Sequence, residues 1–239
     1  MRIKILFLVV GLIGLLLVQG CYDTFNCEPV RGSVISEEIS LDSFDGISFD
    51  VAGNVYLRQD SVQKVVVETY QNIILGLSRN VRDGIWNIRF IECFDRYDKF
   101  DVYISVPDLN SVVLSGSGNI LGDGPFETSA MNVSILGSGN ITMEVYCESV
   151  DAEITGSGNI SLSGQANSSE CFIGGSGSIM ALNLETEICE VSIPGSGNSD
   201  VFVNDQLDVQ ISGSGSVRYR GNPNVNSTIT GSGSVVRIN

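Results

Sequence analysis

The chain has 239 residues, which is enough for one or two domains with a sizeable core. It carries a formal net charge of −15 and contains no His, so it lacks the commonest general base and the commonest metal ligand. From residue 100 onward the only basic residues are Arg218, Arg220 and Arg237. Such an acidic chain repels polyanions, which excludes nucleic acid as a partner, and we interpret the charge as a solubilising surface.

The N-terminus has the pattern of a secretory signal peptide. A basic start with Arg2 and Lys4 precedes an uncharged apolar run over residues 5–18, and Cys21 follows a small residue. The run is too short to span a bilayer comfortably, since a spanning helix needs about 20 apolar residues. The Cys resembles the lipobox cysteine of bacterial lipoproteins, and the resemblance implies that Cys21 is the diacylated first residue of the mature chain.

We therefore predict a lipoprotein signal peptide over 1–20 and a tether over 21–42. Several acyl chains together anchor a protein stably where a single chain does not. Tyr22, not Asp, follows the lipid-bearing Cys, so nothing resembles the inner-membrane retention signal. We expect an outer-membrane lipoprotein of the cell envelope, facing either the periplasm or the surface.

Residues 43–110 are expected to form a less regular β cap ahead of the repeats. Asp83-Gly84 occupies a hairpin turn position between two β-branched or aromatic runs, and Pro107 ends a further strand. Gly53-Asn54-Val55 aligns with Gly118-Asn119-Ile120 of the first repeat, which indicates a degenerate copy. The sequence predicts strands over 47–51, 65–68, 81–90 and 100–107, and a short helical turn over 72–77.

A repeated Gly-Ser-Gly triplet organises the rest of the chain. Its copies begin 18 to 21 residues apart, a large aliphatic residue stands two positions before every copy, and Ile or Val stands four positions after the first Gly in six. Such alternation predicts half-buried strands on both sides of a corner. Because one coil cannot bury its apolar face alone, the coils must stack. We predict an all-β fold, a single-stranded parallel β-helix (β-solenoid) with about 19 residues per coil, whose seven GSG coils cover 111–239.

The corner residues are predicted to be structural. Gly would supply positive φ angles and leave room for the coil above, and the Asn or Ser that follows would form a hydrogen-bonded ladder and tolerate the left-handed region. The alternative interpretation of this column is a polar stripe that touches a glycan. The corner set is Gly116, Gly118, Asn119, Gly137, Gly139, Asn140, Gly156, Gly158, Asn159, Gly175, Gly177, Gly195, Gly197, Asn198, Gly213, Gly215, Gly231 and Gly233.

The cysteines do not predict a metal centre. Cys171 and Cys189 occupy inward positions and are interpreted as core residues, because their diagonal spacing of about 7–8 Å is at the limit for a disulfide. Cys27 and Cys93 are candidates for a bridge in an oxidising envelope, and Cys147 has no assignment. Without a CxxC pair or a His, we expect no zinc site, no other metal and no cofactor.

Catalytic motifs are also missing from the sequence. No triad is available without His, and GSGNI matches neither GxGxxG nor GxxxxGK. Hydrolysis of glycosides needs only two carboxylates, and parallel β-helices do host such enzymes. The acidic pairs Asp151/Glu153, Glu185/Glu187 and Asp205/Asp208 fall on outward strand positions, and we interpret them as solvated faces.

With these residues in hand, the chain resembles a family found in Bacteroidetes lipoproteins, the putative auto-transporter adhesin head GIN domain. The resemblance runs from about Phe44 to Ile238 and rests on Phe44-Asp-Gly-Ile47, Asp83-Gly84, Val106-Pro107-Asp-Leu109 and the GSGN corners. It implies a single-chain parallel β-helix in the envelope and offers no catalytic residues to transfer.

The sequence therefore favours an envelope-anchored, non-catalytic binding or adhesion module for glycans or surface proteins. A β-helix polysaccharide-active enzyme and a purely structural envelope component remain as alternatives. A row of aromatics on one face would favour binding, and three or more converging carboxylates would favour an enzyme. The open C-terminal edge of the solenoid predicts a homo-oligomer. The aromatic candidates are Tyr56, Tyr70, Trp86, Tyr103 and Tyr146.

Overall fold

The structure is a computed structural model that describes residues 27–238. The predicted signal peptide and the lipidation of Cys21 lie outside the described residues. No helix within residues 27–238 is long and apolar enough to cross a membrane.

The described residues form one continuous sheet of 17 strands and one short helix. In chain order the elements are β1 (Val34–Ile39), β2 (Gly46–Phe49), β3 (Asn54–Gln59), β4 (Lys64–Tyr70), α1 (Gln71–Leu75), β5 (Val81–Arg82), β6 (Ile85–Ile88), β7 (Phe100–Val106), β8 (Ser111–Leu114), β9 (Asn119–Glu127), β10 (Ala130–Ile135), β11 (Asn140–Ile154), β12 (Asn159–Ile173), β13 (Ser178–Ile193), β14 (Asn198–Ile211), β15 (Ser216–Arg220), β16 (Asn224–Ile229) and β17 (Ser234–Arg237).

Each coil of the solenoid has a leading arm before its corner and a trailing arm after it. The leading arms stack in parallel in the order β6, β2, β8, β10, the second halves of β11–β14, and β16. The trailing arms stack in the order β7, β3, β9, the first halves of β11–β14, β15 and β17. This arrangement confirms the predicted parallel β-solenoid.

The core runs along the solenoid axis between the two arms. The aliphatic residues beside the corners stack on their own equivalents, for example Ile135 on Ile154 and Ile141 on Ile160, and all four are fully buried. Burial of one such side chain contributes about 1.5–3 kcal/mol. The alternation seen in the sequence therefore directs one apolar residue after another into a continuous core.

The N-terminal part contributes two coils to the stack, in addition to the less regular β structure expected over 43–110. Strands β2 and β3 form one coil, and β6 and β7 form a second that lies outside it. Asn54 pairs in register with Asn119, as the degenerate copy predicted. The order of coils in space therefore differs from the order in the chain, because β2 and β3 lie between β6 and β7 on one side and β8 and β9 on the other.

Antiparallel strands cover the N-terminal end of the solenoid. Strand β4 pairs with β7 and β1 pairs with β4, while β5 and β6 form the predicted hairpin with Asp83 at φ 52° and Gly84 at φ 77°. The predicted helical turn is α1. The tether expected over 21–42 is too long, because residues 34–39 form β1 and belong to the sheet.

The outermost coil has a loop where the other coils have a tight corner. This loop, residues 89–99, carries Phe90, Phe94 and Tyr97, whose rings pack edge to face around Phe90 with centroids 5.3 and 5.6 Å away. A disulfide joins Cys93 to Cys27, as the cysteine pattern suggested. The N–H of Glu28 also donates to the carbonyl of Cys93 at 2.7 Å, so the start of the described chain is fixed to this loop.

The GSG corners need glycine for contact, not for positive φ. None of the corner glycines has a positive φ, and the Asn residues of the ladder do not adopt the left-handed region either, so that part of the expectation is wrong. In the six corners that follow the first, the Ser N–H donates to the first Gly carbonyl of the preceding coil, for example Ser157 to Gly137 at 3.0 Å. A Cβ on Gly156 would meet that same carbonyl oxygen closer than real Cβ atoms approach anything.

Candidate binding surface

A hydrogen-bonded column of Asn side chains follows the outer face of the trailing arms. Asn159 donates from Nδ2 to Oδ1 of Asn140 at 3.0 Å, Asn140 to Asn119 at 3.1 Å, and Asn119 to Asn54 at 3.1 Å. We refer to these four residues as the amide ladder. Ser178 follows it at the same corner position and breaks the run of amides. Because each amide carries a second N–H and a further lone pair, the ladder keeps hydrogen-bonding capacity toward solvent.

The ladder ends on a buried carboxylate at the N-terminal end. Asn54 donates from Nδ2 to Oδ1 of Asp101 at 2.9 Å, and the Lys99 ammonium lies 2.7 Å from Oδ2 of Asp101 and 3.2 Å from Oε2 of Glu68. The hydrogen bonds that the Lys99 ammonium donates to Asp101 and then to Glu68 raise the pKa of Lys99 above its ordinary value. The ladder donors therefore all point toward a charged cluster that the sequence did not reveal, because only the strand register brings these residues together.

An exposed aromatic column runs beside the amide ladder. The rings of Tyr103 and Tyr56 stack with centroids 4.9 Å apart, and Val66 and Leu121 stand in register on their two sides. Tyr103 is 41% exposed and its hydroxyl donates to Glu68 at 3.3 Å. The neighbours cover the ring faces, so this aromatic column (Val66, Tyr103, Tyr56 and Leu121) presents ring edges and hydroxyls to solvent.

The other three aromatic candidates do not join this column. Trp86 is fully buried in the core and donates its indole N–H to the carbonyl of Ser78 at 3.1 Å. Tyr70 donates its hydroxyl to Asp98 at 2.7 Å, and this bond raises the pKa of Tyr70. Tyr146 is 43% exposed and pairs with Glu127 of β9, away from the stacked pair. Two of the five aromatics named from the sequence therefore lie side by side.

Acidic residues form a column on the leading arms. Asp151, Glu170, Glu190 and Asp208 stand in register in four successive coils. Asp151, Glu153 and Glu170 line one shallow groove together with Asn132 and Phe172. Within residues 27–238 no group of three or more His, Cys, Asp or Glu residues is placed to hold a metal ion.

The remaining acidic pairs lie apart from that groove. Glu185 accepts a hydrogen bond from Asn204 at 2.8 Å, and Asp208 accepts one from Gln206. Asp200 forms an ion pair with both Nε and Nη2 of Arg218, one coil further along the stack, which the sequence did not indicate. Local contacts therefore account for several of the outward carboxylates.

The free thiols are placed in or against the core. Cys171 and Cys189 are buried, as predicted, and their mutual hydrogen bond and burial hold the pKa of Cys171 well above its usual value. Burial raises the pKa of the half-buried Cys147 thiol to about 11. A thiol with a raised pKa is a poor nucleophile near neutral pH, because little of it is ionised.

Solved structures share this fold along most of their length. A putative adhesin of Bacteroides fragilis is 22% identical, with a TM-score of 0.82 over 88% of this chain and 99% of that one. A putative lipid binding protein of Parabacteroides distasonis is 22% identical, with a TM-score of 0.73 over 88% and 99%. A putative adhesin of Parabacteroides merdae is 22% identical, with a TM-score of 0.70 over 88% and 98%. At these identities the likeness shows the fold alone.

No curated protein matches the chain. The sequence matches the family described as "Putative auto-transporter adhesin, head GIN domain" over residues 43–223, which is most of the chain and spans the degenerate coils as well as the first six GSG triplets. The chain therefore belongs to the putative auto-transporter adhesin, head GIN domain family.

Proposed function

We propose that this protein is an envelope-anchored, non-catalytic binding module whose ligand is a glycan at the cell surface. The amide ladder beside the aromatic column is the observation that carries the proposal. The two columns share the outer faces of β3 and β9, where Asn54 stands two positions before Tyr56 and Asn119 two positions before Leu121. They therefore adjoin as one continuous surface, which we name the ladder face (the amide ladder and the aromatic column).

The chemistry of the ladder face suits sugar hydroxyls. A hydroxyl both donates and accepts hydrogen bonds, and a side-chain amide offers both kinds of partner. The amides repeat at the strand spacing of about 4.8 Å, so an extended ligand can contact several coils in turn. The Tyr56 and Tyr103 ring edges add apolar contact and two further hydroxyls. Because neighbouring groups fix the ladder and the stacked rings, binding costs little side-chain entropy.

The test compares ligand binding by two tyrosine variants. The chain from Tyr22 onward, which keeps every described residue, is screened on a glycan array and on cells. We expect the double variant Tyr56→Ala, Tyr103→Ala to lose at least about tenfold in affinity, since stacked aromatics carry much of the binding energy of such surfaces. Tyr146→Ala, an exposed tyrosine off the ladder face, is the matched control and should bind as the parent does.

Two results would contradict the proposal. Retention of binding by the double variant would show that the ladder face is not the binding site. Binding to proteins but to no glycan would show that the ligand is a protein. Thermal unfolding of both variants shows whether a loss of binding reflects unfolding.

The anchoring part of the proposal has its own test. Lipidation at Cys21 predicts that mass spectrometry of the mature N-terminus shows an acylated cysteine, and that Cys21→Ala releases the chain from the membrane fraction. Protease shaving of whole cells then distinguishes the surface from the periplasm. An unmodified Cys21 in the membrane fraction would contradict lipid anchoring.

The groove on the leading arms supports a second candidate function, a polysaccharide-active enzyme. Asp151, Glu153 and Glu170 line this groove beside Phe172, and glycoside hydrolysis needs two carboxylates on either side of the bond. The acidic column on the leading arms has a simpler explanation, because the stacking of the coils places outward residues such as Asp151 and Glu170 in register without any catalytic role. Release of reducing ends from a bound polysaccharide, abolished by Asp151→Asn with Glu153→Gln, would favour the enzyme.

A further inference from the structure

Three segments meet at the N-terminal end of the solenoid. Arg31 donates its backbone N–H to Oδ1 of Asn72 in α1 at 3.0 Å, and Asn72 donates from Nδ2 to the carbonyl of Pro29 at 3.0 Å. Ile91 donates its N–H to the carbonyl of Gly76, directly after α1, at 2.9 Å. Residues 28–31, α1 and residues 89–96 therefore form one connected surface, which we name the anchor end.

The anchor end exposes two large aliphatic side chains on segments that a backbone hydrogen bond joins. Helix α1 buries Ile73 and Ile74 but leaves Leu75 74% exposed, and Ile91 is 62% exposed. Phe94 is half-buried beside them and lies against Gly76. Among the described residues Leu75 is the most exposed large apolar side chain, and Ile91 is otherwise exceeded only by Val62 at 67%. The aliphatic side chains exposed on the last coil are less exposed, at 39–48%.

Chain connectivity limits the distance between this surface and the predicted lipid. Cys27 is held by the disulfide to Cys93, and only six residue steps separate it from Cys21. Six fully extended residues reach about 21 Å at most. The last coil lies eight coil steps along the stack from the β6 coil, about 40 Å at the strand spacing. A lipid on Cys21 therefore keeps the anchor end, and not the far end, close to the bilayer.

The distribution of charge favours the same orientation. Residues 27–99 hold eight Lys and Arg against twelve Asp and Glu, whereas residues 100–238 hold three against fifteen. At the anchor end, Arg31, Arg89 and Arg96 stand beside equal numbers of acids. Bacterial membrane surfaces are anionic, so they repel the rest of the solenoid more strongly than this end.

We propose that the anchor end is a membrane-contact surface, on which Leu75 and Ile91 enter the boundary between headgroups and acyl chains of a phospholipid bilayer. The inference rests on the lipid anchor of the proposed function. Two side chains add only a weak membrane affinity by themselves, and the acyl chains on Cys21 supply the rest. The contact holds the solenoid upright, with the ladder face clear of the membrane.

The test places a fluorescent reporter in the proposed contact. The lipidated chain is reconstituted into phosphatidylethanolamine–phosphatidylglycerol vesicles with or without brominated acyl chains, which quench nearby Trp. The parent has one Trp, the buried Trp86, and supplies the background. We expect bromination to lower the emission of Leu75→Trp about twofold after subtraction, and to leave Val236→Trp, an exposed position in the last coil, unchanged.

A second measurement removes the apolar contact. The variant Leu75→Asp, Ile91→Asp should stay on the vesicles through its lipid but become several-fold more accessible to trypsin at Arg89 and Arg96, because the bilayer no longer shields the loop. Vesicle-bound Leu75→Trp without quenching would overturn the membrane contact while leaving the lipid anchor intact. Failure of the parent to enter vesicles would instead contradict the lipid anchor itself.

Discussion

Two regions of this solenoid, the GSG stack and the N-terminal end, are stabilised in different ways. In the GSG stack every coil repeats the one before it, so that Ile lies on Ile, Gly on Gly and Asn on Asn. At the N-terminal end the coils are out of chain order, the corner becomes the loop 89–99, and antiparallel strands close the edge. The stack therefore depends on register, whereas the end depends on contacts between distant parts of the chain.

This difference separates the two kinds of residue that matter for stability. A corner glycine is indispensable because a backbone carbonyl of the neighbouring coil occupies the place of its Cβ. The aromatic rings of the loop are needed because they pack on one another and on Phe100, with no neighbouring repeat to support them. Substitutions in the two regions should accordingly differ in how much they lower the free energy of unfolding and in how much of the chain they destabilise.

The largest expected effect is loss of the disulfide at the N-terminal end. The bridge closes a separation of 66 residues, for which loop entropy gives about 4 kcal/mol. We expect Cys27→Ser with Cys93→Ser to lower the free energy of unfolding by about that amount in urea titrations, and hydrogen exchange to rise first in residues 27–39. Cys147→Ser, a half-buried free cysteine, is the control and should cost less than about 1 kcal/mol. Equal losses in the two variants would show that the end does not depend on its cross-link.

A pair of adjacent glycines tests the register of the stack. A Cβ on Gly175 would collide with the carbonyl of Gly156, so Gly175→Ala should cost about 3 kcal/mol, at the upper end for overpacking. Gly174 stands one position earlier, where other coils carry Leu136, Thr155 or Pro194. Gly174→Ala should therefore change the free energy of unfolding by less than about 0.5 kcal/mol. Similar denaturation midpoints for the two variants would contradict the explanation of the corner.

The sequence predicted the stack in detail because periodicity and burial agree there. Seven equivalent aliphatic positions indicated the inward face, and the triplet spacing indicated the coil length. The sequence did not predict the order of the N-terminal coils. Strand β3 pairs with strands 47 and 65 residues further along the chain, and no repeated motif of constant spacing indicates those partners. The register of Asn54 with Asn119 is the exception, and one matching Gly-Asn pair was enough to indicate it.

The candidate site was predicted only in part, for a related reason. The Asn column follows from the repeat, so the ladder was expected from its residues alone. The stacked Tyr56 and Tyr103 depend on the pairing of β3 with β7, and the Lys99–Asp101–Glu68 cluster depends on β4 as well. A sequence without an apparent repeat in this region contains no signal for such neighbours.

The amide ladder joins the two regions. We therefore expect the contribution of each Asn in this column to the free energy of unfolding to decrease from the N-terminal end toward the GSG stack. Asn54 donates to a carboxylate, and Asn140 lies between two amides. Asn198 occupies the same corner position beyond the ladder, has Ser178 and Ser216 on its two sides, and accepts from the Ser216 N–H at 3.1 Å. Hydrogen bonds to charged groups contribute about 1.5–3 kcal/mol, and neutral ones about 1 kcal/mol. We expect Asn→Ser to cost about 2 kcal/mol at position 54, about 1 at 140 and about 0.5 at 198.

Urea denaturation of the three variants measures this grading, and Ser is a fair replacement because it occupies the same corner position in three other coils. Ser234 donates to Ser216 at 3.1 Å, which shows that hydroxyls also pair in this column. If the cost at position 54 does not exceed that at 140, the buried Asp101 does not strengthen the ladder, since a charged acceptor should make the first bond the strongest. The amide ladder would then belong to the stack alone, and the N-terminal end would be joined to it only through its core and its strand pairing.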